Sequence, residues 1–162
     1  MFDFLNISTA YFLAGLVHMI SPLVAWTSLH HLRERSIAFW LIGTEVFSTG
    51  LLLLATRQLT PNWVSFELGN SLLAAGLLLQ VHGLSLLTRI QYKQSLMISV
   101  GLIHILGYTL AHQLLPQQPA FFTWALLFMA AEMGWICLLA FKLSNTQNLP
   151  TARWIILAYA PI

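Results

Sequence analysis

The chain has 162 residues, 58% of them hydrophobic and 7% charged, with a formal net charge of +2; an ordinary soluble domain carries roughly 45–50% apolar and about 25% charged residues. So few charges cannot solvate a surface, and apolar runs of about 20 residues, the length that crosses a hydrocarbon core, recur along the sequence, which excludes a water-soluble globule. The basic residues are dispersed between these runs, which excludes nucleic acid as a partner, and a single cysteine, Cys137, excludes an internal disulfide.

In chain order the apolar segments fall at 8–28, 37–56, 64–87, 96–115 and 121–142, and a sixth runs from Trp154 to Ile162. The expected fold is all-α: a polytopic membrane helix bundle of five complete transmembrane helices plus a partial sixth. Backbone groups in lipid must be satisfied within the segment, and these runs are far longer than barrel strands. The first segment opens Met1-Phe2-Asp3-Phe4, without the basic start of a signal peptide, and is read as a retained helix. Arg33, Arg35, Arg89, Lys93, Lys142 and Arg153 fall in one set of connections and only Arg57 in the other. That bias places the amino terminus outside and the loops near 30–36, 88–95 and 143–152 inside. Trp26, Trp40 and Trp154 near the inner ends, and Trp63 and Trp124 near the outer ends, suit an interfacial belt. Pro61, Pro116 and Pro119 mark the outer turns. The last segment, roughly 14 Å long as a helix, is about half of what a bilayer requires. Residues 1–162 are therefore expected to be one transmembrane module, a fragment lacking a cytoplasmic output domain.

The stretch from Arg57 to Arg89 holds Arg57 at the end of the second segment, a Pro61-Asn62-Trp63 turn and a Gly69-Asn70 pair opening the third. Gly76 follows at mid-helix, then Gly83-Leu84 at the exit. In this it resembles the multi-helix amino-terminal membrane module of bacterial diguanylate cyclases (GGDEF-domain proteins) and related sensor kinases. Ser85 stands where that pattern has an arginine, and the first cation after it is Arg89. The resemblance implies a multi-pass sensory module in the bacterial inner (plasma) membrane, feeding a cyclase or kinase domain in cis. The family's catalytic residues belong to that domain and map onto none of these residues.

The same stretch has a direct physical reading. Gly69, Gly76 and Gly83 recur every seven residues, leaving a bare stripe that permits close backbone approach and makes the third helix central. Arg57 and Glu67, flanking the turn on the outer side, are expected to form an ion pair near the headgroups. Asn70, beside the stripe, is read as an amide that bonds across helices.

An ionisable side chain at the bilayer centre costs about 2.5–3.5 kcal/mol on insertion scales and so needs a partner or a use. Four qualify: His18, Glu45, His104 and Glu132, each about halfway along its segment. They are expected to face a common interior as two imidazole–carboxylate pairs. An internal echo accompanies them, since Gly15-Leu16-Val17-His18 resembles Gly101-Leu102-Ile103-His104 and a glutamate follows 27 and 28 residues later. As an inverted repeat it would suit a transporter. Three roles are open to the four residues: interhelical hydrogen bonds that fix packing, a proton-responsive sensing site, or a metal or haem site with His18 and His104 as ligands. His30 and His31 read as solvated interface, and His82, Gln80 and His112 as polar tips near helix ends. Met129, Met133 and Trp135 read as packing groups.

No paired nucleophile and base, phosphate-cradling glycine loop or paired-cysteine zinc motif occurs, so the chain itself is expected not to be an enzyme, and no cofactor is expected. The functional expectation is a sensory or regulatory input module that transmits a stimulus by helix repacking. The alternatives are a small transporter or a haem- or metal-binding membrane protein. Expected partners are the lipid bilayer, a second copy in a homo-oligomer and a downstream signalling domain in cis.

Overall fold

The computed structural model describes residues 7–29, 34–90, 92–115 and 120–146. Each of the five longer apolar stretches forms a helix: α1 (Ile7–Leu29), α2 (Arg35–Ala55), α3 (Gly69–Leu87), α4 (Gln94–Leu114) and α5 (Ala120–Thr146). A π-helical segment, Trp63–Leu68, runs directly into α3. All regular structure among the described residues is helical. Four stretches are long and apolar enough to cross a membrane, Arg35–Ala55, Trp63–Leu87, Gln94–Leu114 and Thr123–Asn145, while the apolar part of α1 is Ser8–Val24. The segment from Trp154, with His30, His31, Arg33, Pro116, Pro119 and Arg153, lies outside the described residues.

Packing runs in chain order. α1 lies along α2 and α2 along α3, while α3 also takes α4 and α5, which pack on each other. Neither α1 nor α2 makes a close backbone approach to α4 or α5. α3 is thus the axis: 56% of its span is buried, against 17% of the α4 span. Consecutive helices alternate in direction, so Arg35, Arg89, Lys93 and Lys142 lie at one end of the bundle and Arg57 at the other.

The α2–α3 pair owes its closeness to two matching stripes. Ser36, Gly43 and Gly50 recur every seven residues on α2, as Gly69, Gly76 and Gly83 do on α3, and the antiparallel register sets them face to face. A Cβ on Gly43 would lie 2.7 Å from the Gly76 carbonyl oxygen, one on Gly50 2.7 Å from that of Gly69, and one on Gly83 2.7 Å from that of Ser36. The backbones therefore touch along the whole seam, where dispersion replaces the hydrophobic drive that lipid cannot supply. Phe47, Leu51, Leu73 and Leu77 close over the seam as buried core. Gln80, expected at a helix tip, is instead fully buried in it, and its Nε2 donates to Thr44 Oγ1 at 3.2 Å. The outer faces are apolar: Ile98, Leu102, Leu106 and Leu110 form an exposed stripe on α4 at helical spacing.

Gly43→Ala and Gly76→Ala should each lower stability by about 1–3 kcal/mol, because the added methyl meets backbone that cannot yield. Gly134→Ala on α5, where a Cβ meets nothing within 4 Å, should be neutral or stabilising by up to about 1 kcal/mol from helix propensity. Unfolding in mixed micelles by rising SDS fraction checks this; Gly76→Ala unfolding with the wild-type midpoint contradicts the seam.

Candidate functional site

α4 carries His104, Tyr108 and His112 at four-residue spacing, which aligns them on one helix face. The opposite face is the apolar stripe, so the polar face turns toward α3 and α5. His104 and Tyr108 are each 1% exposed, whereas His112 lies half-buried toward the Arg57 end of the bundle.

The π-helical segment positions the acid that meets His112. Side chains add bonds to the carbonyls of its turns, beside the backbone amides that already reach Pro61 and Phe66. Asn70 Nδ2 donates to the Phe66 carbonyl at 2.8 Å, Ser71 Oγ to that of Glu67 at 2.6 Å, and Ser65 Oγ to those of Pro61 and Asn62 at 3.4 and 3.3 Å. Asn70 thus serves its own turn and not a neighbouring helix. So presented, Glu67 Oε1 accepts from Nδ1 of His112 at 2.7 Å. Glu67 takes this bond in place of one from Arg57, which forms no ion pair among the described residues.

Deeper in the bundle, Nδ1 of His104 and Oε1 of Glu132 on α5 lie 3.3 Å apart, and both side chains are 1% exposed. Phe128 flanks the imidazole, ring centroids 5.2 Å apart. The Trp124 indole lies on Gly107, in space that a Cβ would fill, and its Nε1–H donates to the His104 carbonyl at 3.2 Å. His104 Nε2 and Glu132 Oε2 remain buried with no hydrogen-bond partner among the described residues. Tyr108 stacks on His112, centroids 6.2 Å apart at an interplanar angle of 27°. Glu132, His104, Tyr108, His112 and Glu67 therefore form one column of ionisable groups from mid-span to the Arg57 end. Each imidazole–carboxylate pair of the column can hold a proton, and a change of charge at the buried pair must alter packing.

The four mid-span residues do not converge. His104 and Glu132 meet, but His18 Nδ1 donates to its own helix, at the Ala14 carbonyl 2.9 Å away, and its ring tilts against Phe47. Glu45 Oε1 is buried without a hydrogen-bond partner. The reason is topological: α1 docks on α2 through Gly15 against Leu52, and α3 stands between that pair and α4–α5. Gly101, the counterpart of Gly15, packs on Leu78 of α3, so the two copies of the echo have different surroundings. His18 and His104 are not brought together, and no group of three or more His, Cys, Asp or Glu side chains fit to hold a metal ion occurs among the described residues. The sequence reading did not single out Tyr108 and took His112 for a polar tip near a helix end; the His104-x-x-x-Tyr108-x-x-x-His112 spacing was the available signal for both. Trp124, expected in the interfacial belt, is a support for His104.

No protein-family model, curated protein or solved structure matches this chain.

A double-mutant cycle of His104→Ala and Glu132→Ala in mixed micelles should give a coupling of about 0.6–1.7 kcal/mol, the range for interhelical polar pairs. Glu132→Gln, which keeps an acceptor, should cost less than Glu132→Ala. Additive single effects would mean that the two side chains do not interact.

Proposed function

We propose that this chain is the membrane-embedded sensory input module of a bacterial signalling protein. In this reading it makes at least five spans in the inner membrane, with the amino terminus outside, and the polar column on α4 is its switch. The observation that carries the reading is the His104–Glu132 pair, sealed between α4, the least buried of the four long apolar spans, and α5, beside the close-packed α2–α3 platform. The gathering of Arg35, Arg89, Lys93 and Lys142 at one end supports the orientation.

Imidazole is the side chain whose change of charge lies closest to physiological pH. The titratable groups facing the two imidazoles of the column are Glu132 of α5 at His104, and Glu67 of the π-helical segment with Tyr108 of α4 at His112. Protonating an imidazole turns its acceptor nitrogen into a donor and strengthens its pull on the facing carboxylate. α4 and α5 then shift against a platform that cannot give, because packed helices exchange between discrete arrangements. Beyond Lys142 the α5 end leads to the inner side, where a cyclase or kinase domain in cis would read the shift. The module does no chemistry of its own.

Spin labels at Ile42 on α2 and Leu106 on α4, both exposed, in a Cys137→Ser background report this motion in proteoliposomes. Between pH 8 and pH 5 their separation should change by about 1–2 Å, the scale of helix shifts, and His104→Ala should abolish the change. An unchanged distance distribution in the parent rejects the switch. A Lys93→Cys variant that an impermeant thiol reagent labels from outside intact cells rejects the orientation.

A further inference from the structure

α2 and α4 flank α3 without meeting, and the strip of α3 between them is open. That strip carries Ala75, Leu78, Leu79 and His82, the spacing of one helix face. Walled by Phe39 of α2 and Met97 of α4, it forms an apolar cavity of about 470 Å³. A second cavity of about 510 Å³ adjoins it toward the end of the bundle, sharing His82 and Gln94 and lined also by Ser85, Arg89 and Tyr92. One cleft therefore runs from apolar to cationic along the membrane normal.

No carboxylate lines either cavity, and Arg89 forms no ion pair among the described residues. Lys93, exposed at the start of α4, adds a second cation nearby. The backbone at Arg89 is also unusual. α3 ends with the Ile90 amide donating to the Ser85 carbonyl at 3.0 Å and the Arg89 amide to that of Leu86 at 3.3 Å, with Arg89 at φ 55°. Glycine is the ordinary occupant of that left-handed position, and an L side chain there is disfavoured. The chain thus places a long cation where local backbone preference asks for none, and that cation lines the cleft.

We propose that this cleft binds one anionic phospholipid, an acyl chain lying along Leu78 and Leu79 and the phosphate held by the Arg89 guanidinium. The planar guanidinium offers two parallel donors to phosphate oxygens, and Tyr92 and Gln94 add a hydroxyl and an amide. Basic pockets between membrane helices at the inner surface suit anionic headgroups. Only the assignment to the inner leaflet rests on the orientation proposed above. A lipid so placed bridges α2 and α4 across α3 and sets the resting position of α4.

The test uses the whole chain, delipidated in detergent and mixed with phosphatidylglycerol or phosphatidylcholine, with retained lipid counted by native mass spectrometry. One phosphatidylglycerol per chain should be retained, about fivefold more than phosphatidylcholine, the factor expected from one surface cation. Arg89→Gly should erase that preference without lowering the melting temperature in lipid-free detergent, because glycine suits the backbone. Leu79→Trp, which fills the tail cavity, should reduce retention with Arg89 intact. Equal retention of the two lipids, unchanged retention in Arg89→Gly, or displacement by millimolar inorganic phosphate overturns the proposal. None of these readouts depends on orientation, so failure here and failure of the topology are distinguishable.

Discussion

Backbone contact between α2 and α3 is the constraint from which the remaining architecture follows. In lipid, apolar surface gains nothing from leaving its solvent, and a bundle built only of leucine would have many equivalent packings. Two stripes of small residues in antiparallel heptad register remove that degeneracy. Gly43 can approach Gly76, and Gly50 can approach Gly69, only when the helices are aligned in depth and rotation. α1 then docks on the far face of α2, α4 and α5 on the remaining faces of α3, and the buried Gln80–Thr44 bond adds a polar check on register.

Beside this platform α4 is the least buried of the four long apolar spans. α4 presents an apolar stripe to its surroundings and a polar one inward, and its attachments are few and chemically distinct: the Glu132 carboxylate through His104, the Glu67 carboxylate through His112, and the Trp124 indole over Gly107. Two of these three change strength with protonation, which is why the sensory reading is centred on α4 and not on the His18–Glu45 side. His18 spends its ring nitrogen on its own helix, and Glu45 has no imidazole partner.

Much of the fold was legible because membrane helices are written in long unbroken runs: with the π-helical segment counted with α3, the five longer segments read from hydropathy fall within four residues of the observed helix ends. The glycine stripe of α3 was equally readable. Its mate on α2 was overlooked, since Ser36, Gly43 and Gly50 sit among residues that resemble any other span and gain meaning only beside their partners. The site was legible in part. Mid-span His and Glu stand out by their cost in lipid, but which of them meet depends on helix adjacency, and composition does not encode that. The Arg57–Glu67 pairing failed for a local reason, because the π-helical turns point Glu67 at α4.

Those turns have an evolutionary consequence. A π-helical segment closes its rings one residue later than an α-helix, so it behaves as an insertion absorbed inside a span. Losing one residue there restores plain α geometry and leaves the chain on either side of the segment in place, so the glycine seam survives. A loss at Leu68 turns Glu67 by up to about 100° about the helix axis, away from His112. Descendants of this sequence thus have a single-codon route to uncouple the latch at the Arg57 end of α4 from an otherwise intact bundle.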